Sequence, residues 1–270
     1  MNCPICQIEM GQIFDATILG KYPATYFRCG ECGLIKPRDP VWLPESYSRA
    51  IAETDVGLVS RNLRNLDLLG SVLTQLHAPG QRLLDVGGGY GLLCRLLRDK
   101  GWDCYTSDVY CENLFAGPYE PGADFHAPTL LAFEVFEHID DPLAFVREKI
   151  LQYGAQTFVF STLTHAGEVP PQDWWYYTFE TGQHISIYTR RTLQRLAGQI
   201  GWHYLALSDE MHIFTKDPPA TVNRWVLCRQ HRIISYLYRR YVNWTLRSKS
   251  LMQADYETSK ERVRRTQAAP

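Results

Sequence analysis

No apolar run in this chain approaches the roughly 20 residues that a membrane-spanning helix needs, so a bilayer-spanning role is not expected. Excess charge of either sign is also missing: 28 Lys and Arg stand against 29 Asp and Glu, a formal net charge of −1. A general basic footprint for nucleic acid is therefore absent, although this balance leaves room for a local patch. The first residues, Met1-Asn2-Cys3-Pro4, lack the basic and apolar segments of a secretory signal, which makes a cytoplasmic location the expectation. Without a secretory context, the eight cysteines are not expected to build a disulfide framework. What is there is 270 residues, 45% apolar and 21% charged. That is enough for one large globular domain with appendages.

Four of the cysteines form two tight pairs, Cys3-Pro4-Ile5-Cys6 and Cys29-Gly30-Glu31-Cys32, with 22 residues between Cys6 and Cys29. Thiolates from two such turns can surround one Zn²⁺ tetrahedrally and close its coordination sphere, which is the pattern of a structural site. A lone Cys-x-x-Cys would also suit a redox dithiol; two at this spacing favour metal. Between the pairs, Gln12–Ala16 and Tyr26–Arg28 alternate as short hairpin strands do. A module of about 35 residues has too small a core to fold unaided, so metal would supply folding energy. Whether it touches substrate, a partner or only the main domain is open at this stage.

The most informative stretch is Leu83-Leu84-Asp85-Val86-Gly87-Gly88-Gly89-Tyr90-Gly91-Leu92-Leu93, an apolar strand running through a glycine turn into an apolar helix. Such a turn admits positive φ and close ligand approach, and its N–H groups face a nucleotide-like ligand. A second strand, Asp103–Thr106, ends near Asp108, 17 residues past Gly91. An acid at that place receives the ribose hydroxyls of a nucleoside. The spacing is Gly-x-Gly-x-Gly, one residue short of the dinucleotide fingerprint, which weakens NAD or FAD as ligand.

Around this unit the punctuation predicts helices over 45–52 and 55–76, the latter capped by Asp55, with a stripe of Val59, Leu63, Leu66, Leu69, Val72, Leu73 and Leu76 ending at His77–Gly80. Pro118, Pro121, Gly122 and Pro128 predict a shortened crossover after Asp108. Strands at 129–133 and 157–161, helices at 143–151 and 190–201, and a closing hairpin at 204–207 and 212–215 follow. The succession describes a mostly parallel α/β sheet. The chain divides into a zinc-ribbon-like module (1–36), a linker with N-terminal helices (37–79), a cofactor-binding domain (80–218) and a basic helical extension (219–270).

Leu84–Gly91, Asp108 and Glu134-Val135-Phe136-Glu137-His138-Ile139-Asp140-Asp141-Pro142 resemble the motifs of class I S-adenosylmethionine-dependent methyltransferases over about 82–216. The resemblance implies a Rossmann-like, mostly parallel seven-stranded sheet with helices on both faces. It implies S-adenosylmethionine as cofactor, held by Asp85, Gly87, Gly89, Gly91, Asp108 and Glu134, with the adenine near Asp124–His126. Gly182-Gln183-His184-Ile185-Ser186-Ile187-Tyr188-Thr189 is similar to an element of methyltransferases acting on sugars and other small molecules. Some of these, the sugar C-methyltransferases, carry an N-terminal four-cysteine zinc module. Their Tyr-His-Glu-His reads Thr181-Gly182-Gln183-His184 here, so His184 alone carries over.

Methyl transfer to a hydroxyl requires alignment and removal of a proton. His184 is the first candidate base, His138 the second, and Glu137 a hydrogen-bond acceptor; either histidine can instead serve only to order its loop. Trp174-Trp175-Tyr176-Tyr177 reads as a lid over substrate or as rings anchored in the core. From Arg229 onward there are ten Lys or Arg against three Asp or Glu. This partly amphipathic tail suits docking on the domain or a second subunit better than a membrane surface or nucleic acid, and residues 266–270 are expected to fray. The expected activity is methylation of a small, sugar-like acceptor. The alternatives are a zinc-ribbon RNA methyltransferase and a non-catalytic binding module.

Overall fold

The structure, a computed structural model, describes residues 1–47, 56–78, 80–218, 232–246 and 250–268. The expected cap Asp55, the end of the first helix to 52, Pro79, the start of the basic tail at Arg229, Cys228 and the last two residues lie outside them. In chain order the elements are β1 (Gly11–Ile18), β2 (Tyr22–Arg28), β3 (Ile35–Pro37), α1 (Leu43–Ser46), α2 (Leu58–Leu76), β4 (Leu83–Val86), α3 (Leu92–Arg98), β5 (Cys104–Ser107) and β6 (Thr129–Ala132). They continue with α4 (Pro142–Tyr153), β7 (Thr157–Ser161), β8 (Thr164–His165), β9 (Tyr188–Thr189), α5 (Arg190–Gln199), β10 (His203–Ala206), β11 (Met211–Thr215), α6 (Arg232–Leu246) and α7 (Met252–Ala268). Single 3-10 turns occupy Phe136–His138 and Trp175–Tyr177.

The main sheet has the order β10-β11-β7-β6-β4-β5. β4 and β5 run parallel, while β11 is antiparallel to both β10 and β7. Among the described residues it holds six strands, not the seven expected. Residues 108–128 form no strand or helix, because Pro118, Pro121 and Pro128 lack the N–H that a ladder needs. The loop partly covers the edge of β5 instead, since Thr106 N–H donates to the Tyr119 carbonyl at 2.9 Å.

The chain separates into two compact units, one of residues 1–54 and 131–218, the other of 55–130 and 219–270. In the first, β1, β2 and β3 form an antiparallel sheet in that order, with a bulge at Gln12/Phe14. Its inner residues Ile18, Ala24, Tyr26 and Ile35 share one core with Trp42, Tyr176, Tyr177, Ile185 and Ile187. Backbone bonds join Ile35 and Ile187, and Trp42 Nε1–H donates to the Gly182 carbonyl at 2.8 Å. The cysteine-bearing segment therefore gains a core by sharing one. α4 begins as its sequence dictates: Asp141 Oδ1 accepts from Leu143 N–H and Ala144 N–H, Pro142 follows at the first position, and Gly154 (φ 64°) ends it. α5 starts with a capping box of Thr189 and Thr192.

In the second unit α2 corrects the expected stripe. Leu69, Val72 and Leu73 are buried, but Val59 and Leu63 are 58% and 52% exposed. α6 packs on α2; of its apolar residues Val242 is buried, whereas Tyr236, Leu237, Tyr241 and Trp244 are exposed. α7 is held mainly by one acid. Asp255 accepts from Arg98 Nε and Nη2, both at 2.8 Å, and from Tyr119 O–H at 2.6 Å, with Arg95 Nη2 also at 2.8 Å. The Arg98 guanidinium lies 3.4 Å from the Tyr119 ring centroid. The helix runs to Ala268, so the fraying expected from 266 does not apply to the described part.

Candidate functional site

The glycine turn belongs to the second unit. β4 is fully buried and delivers the chain into Gly87, Gly89 and Gly91 with φ of 69°, 57° and 82°, a conformation that costs an L side chain about 1–2 kcal/mol. The three glycines differ in what surrounds them. A Cβ at Gly91 would strike the Asn113 amide and sit 3.4 Å from Ala116 Cβ. A Cβ at Gly89 would meet nothing nearer than Cys111 Sγ at 4.0 Å. The space in front of Gly89 is thus a cradle that a side chain would fill and a nucleoside-bearing ligand can enter.

Asp108 stands beside that turn. Its Oδ2 accepts from Gly89 N–H at 2.9 Å, and its Oδ1 accepts from Tyr110 N–H at 2.7 Å and Cys111 N–H at 3.0 Å. Three backbone bonds orient the carboxylate and leave acceptor capacity for a ligand hydroxyl. Asp85 is buried beneath Gly88, and its Oδ2 and the Thr106 hydroxyl have no hydrogen-bond partner. Burial, and then the charge of Asp108, push the Asp85 carboxyl up to about 8. The open cradle, the oriented acid and the orphaned polar atoms fit a polar nucleoside ligand. Phe125, in the segment 124–126, is buried against the Tyr105 ring, with centroids 4.6 Å apart.

In the first unit, Glu134 has a left-handed backbone (φ 56°) although it is not glycine. Its N–H donates to Ser161 Oγ at 2.8 Å, and the Ser161 hydroxyl donates back to Glu134 Oε1 at 2.7 Å. Four bonds then tie the 136–139 segment to 185–188. Ile185 N–H and Ser186 N–H donate to the Glu137 carbonyl at 2.8 and 3.0 Å. The Ser186 hydroxyl donates to the Ile139 carbonyl at 2.6 Å and the Tyr188 hydroxyl to the Phe136 carbonyl at 2.7 Å.

This stapling brings Glu137, His138 and His184 together, with one potential donor atom from each inside a 4.8 Å span. The His138 and His184 rings are 5.1 Å apart, edge to face. His138 Nδ1 pairs with the Tyr47 hydroxyl at 2.7 Å, and His184 Nδ1 pairs with the Tyr176 carbonyl at 2.7 Å. A carbonyl only accepts, so His184 Nδ1 carries the proton and its Nε2 keeps a basic lone pair. Burial and then the charge of His184 hold His138 well below the usual imidazole range. Burial and then the charge of Glu134 push the Glu137 carboxyl up to about 8, against the opposing pull of the Tyr176 and Thr162 hydroxyls.

Tyr176 and Tyr177 are core rings, while Trp175 is 69% exposed, so the aromatic run does not act as one piece. Sequence reasoning missed Tyr47, Ser161 and Asn113. Each acts on a residue far along the chain or fills space under a glycine, and none carries a local signal.

The four cysteines converge in the first unit. Their sulfurs lie within 4.8 Å of one another, with Cys3 and Cys32 Sγ 3.7 Å apart. Cys6 N–H points at Cys3 Sγ (3.4 Å) and Cys32 N–H at Cys29 Sγ (3.5 Å). Burial and neighbouring thiols raise the Cys6 thiol, and a cation would reverse that by drawing off the protons. The donor set fits zinc. The knuckle also docks on α5, where Thr189 and Thr192 hydroxyls donate to the Cys32 carbonyl at 2.6 and 2.8 Å.

A family profile described as a methyltransferase domain matches residues 60–207. No curated protein matches. Among solved structures, magnesium protoporphyrin IX methyltransferase from Synechocystis PCC 6803, with bound SAH, is similar at 14% identity over 63% of this chain and 91% of that one, TM-score 0.41. A methyltransferase in complex with the Trm112 activator of Haloferax volcanii is similar at 14% identity, over 64% of this chain and 98% of that one, TM-score 0.44. An O-methyltransferase family 2 protein from Planctomyces limnophilus DSM 3776, in complex with apigenin, is similar at 14% identity over 66% of both chains, TM-score 0.43. The match over 60–207, more than half of the chain, carries the family assignment; these likenesses add nothing to it.

Proposed function

The chain belongs to the methyltransferase-domain family; from that premise we propose that it is an S-adenosylmethionine-dependent enzyme whose acceptor is a small oxygen-bearing molecule, a sugar or a sugar-like metabolite. Bound, S-adenosylmethionine supplies a methyl group on a sulfonium, which keeps the C–S electron pair as the new C–O bond forms. In this reading Gly87, Gly89 and Gly91 admit the cofactor, Asp108 receives its ribose hydroxyls, and Asp85 and Glu134 complete the cofactor-binding set. His184 Nε2 takes the proton of the acceptor hydroxyl. His138 and Glu137 bind or orient the acceptor. The four cysteines hold a structural zinc.

The observation that carries the reading is the 2.7 Å bond from His184 Nδ1–H to the Tyr176 carbonyl. It holds the ring in the tautomer a base requires, on a loop stapled to Glu137. The test is calorimetry with S-adenosylmethionine and NAD, followed by a labelled-donor screen of sugar and sugar-nucleotide acceptors. The expected result is binding of the methyl donor alone and product from a saccharide. His184→Gln is expected to lower kcat by roughly 10²–10⁴-fold with donor binding unchanged. Unchanged turnover removes His184 as base, and methylation of RNA in place of saccharides overturns the acceptor class.

A further inference from the structure

We propose that Glu137, His138 and His184 form a binding site for a divalent transition-metal cation, built from different residues than the four-cysteine cluster. One carboxylate oxygen and one nitrogen from each ring lie within 4.8 Å of one another. Metal–ligand bonds of about 2.0–2.2 Å set ligand atoms roughly 3.4 Å apart around a tetrahedral ion, a contraction that small side-chain rotations supply. Two imidazoles and one carboxylate match zinc, iron(II) and related ions and leave coordination positions open.

A second observation points to a ligand independently of that spacing. Glu137 is fully buried, and neither of its carboxylate oxygens meets a hydrogen-bond partner in bonding geometry; the Tyr176 and Thr162 hydroxyls that act on it pair with each other at 3.2 Å. Among the described residues it is the one carboxylate with both oxygens in this condition. Buried polar atoms in folded proteins are almost always satisfied, and leaving them bare is costly. A cation between the two rings satisfies them. The rings are held as metal-binding histidines are held, each by an outside partner on its Nδ1: the Tyr47 hydroxyl for His138 and the Tyr176 carbonyl for His184. Edge-to-face packing of two histidines accounts for the ring contact alone; it does not call for an unpaired carboxylate beside them.

The inference rests on the proposed function in one respect, that this trio handles the acceptor oxygen. A cation there would lower the pKa of a hydroxyl bound to it. Charge would then do what the bare imidazole of His184 does by basicity, and His184 would serve as a ligand.

The test is a titration of full-length, chelator-stripped protein with Co²⁺ alone, with folding checked by circular dichroism. Two equivalents are expected: one with intense sulfur-to-cobalt absorption, one with weak bands only. Glu137→Gln and His138→Ala are each expected to lose the weakly coloured equivalent and keep the thiolate one. Tyr47→Phe is expected to keep both and weaken the second by roughly 10–100-fold. Should stripping unfold the chain, metal analysis of the protein as isolated reads the same count, two equivalents against one in Glu137→Gln. Wild-type protein that binds the thiolate-coloured equivalent alone overturns the site, and a misfolded variant cannot mask that result. Absence of the second cation with turnover still lost in His184→Gln sinks the cation and leaves the base reading standing. A second cation with no product from any acceptor sustains the site and sinks the acceptor assignment.

Discussion

The glycine turn at 87–91 and the tether at Asp255 both belong to the second unit and both rest on buried polar groups, yet they are built in opposite ways. The turn is assembled from neighbours. β4 and three glycines with left-handed backbones shape it, and its acid arrives within 21 residues of Gly87. The tether joins residues 157 positions apart, Arg98 on α3 and Asp255 on α7. A turn spends backbone freedom to keep space open for a ligand. A tether fills space and pairs the charges it buries. The first should therefore govern binding and the second stability.

The tether gives the largest expected effect. Arg98 and Asp255 are 5% and 6% exposed, so Asp255→Ala leaves a buried guanidinium with the half-exposed Asp103 as its remaining acid. Removing one partner of a buried pair costs about 3–5 kcal/mol. Urea denaturation at neutral pH should show a loss of that order, with donor binding retained wherever the protein is folded. A loss below about 1 kcal/mol would class the tether with exposed surface pairs and erase the contrast with the turn.

How much of this was legible follows from the same distinction. β7 runs over 157–161 as predicted, β4 and β6 begin within one residue of the expected positions, and Asp141-Pro142 opens α4 as its cap chemistry requires. The Cys-x-x-Cys pairs signalled convergence because each knuckle is local, and the four sulfurs do converge. His184 stood out through its loop, but Tyr47, which holds His138, did not, because nothing near residue 47 refers to residue 138. Asp255 was one of three acids in a basic tail and passed for one of its mixed charges. Apolar periodicity overstated α2: Val59 and Leu63 keep the helical phase yet face solvent, since phase alone does not say where a partner ends. The absence of a seventh strand among the described residues was half visible. The prolines foretold a short crossover, and a short crossover has no room for a strand.

Within the turn itself, two glycines should separate stability from binding. Gly91→Ala forces a left-handed alanine, costing about 1–2 kcal/mol, and drives its Cβ into the Asn113 amide. A stability loss of about 2–3 kcal/mol is expected. Gly89→Ala carries the same backbone cost but meets nothing closer than 4.0 Å. Its larger effect should fall on S-adenosylmethionine, with affinity at least about tenfold weaker, or roughly 1.4 kcal/mol. Denaturation and calorimetry on the two variants measure both quantities. Equal donor affinity in wild type and Gly89→Ala would mean that the open space at Gly89 is not where the ligand lies.

A pH-dependent effect remains at Asp85, which is local in sequence but governed by burial. Its folded-state carboxyl is raised to about 8, by burial first and the Asp108 charge second, against about 3.9 in an unfolded chain. Between those values the native protein keeps a proton that the unfolded chain releases. The unfolded state then binds fewer protons, so stability falls as pH rises from about 4 to 8. Asp85→Asn cannot ionise and should flatten that fall: the variant gains on the wild type steadily across the window and differs least near pH 4. Asp108→Asn removes the second cause and should move the end of the decline below pH 8. Urea midpoints at pH 4.5, 6 and 8 read both effects. Parallel pH dependences for wild type and Asp85→Asn would show that Asp85 is ionised throughout, and the orphaned oxygen beneath Gly88 would then need a donor brought by solvent or ligand.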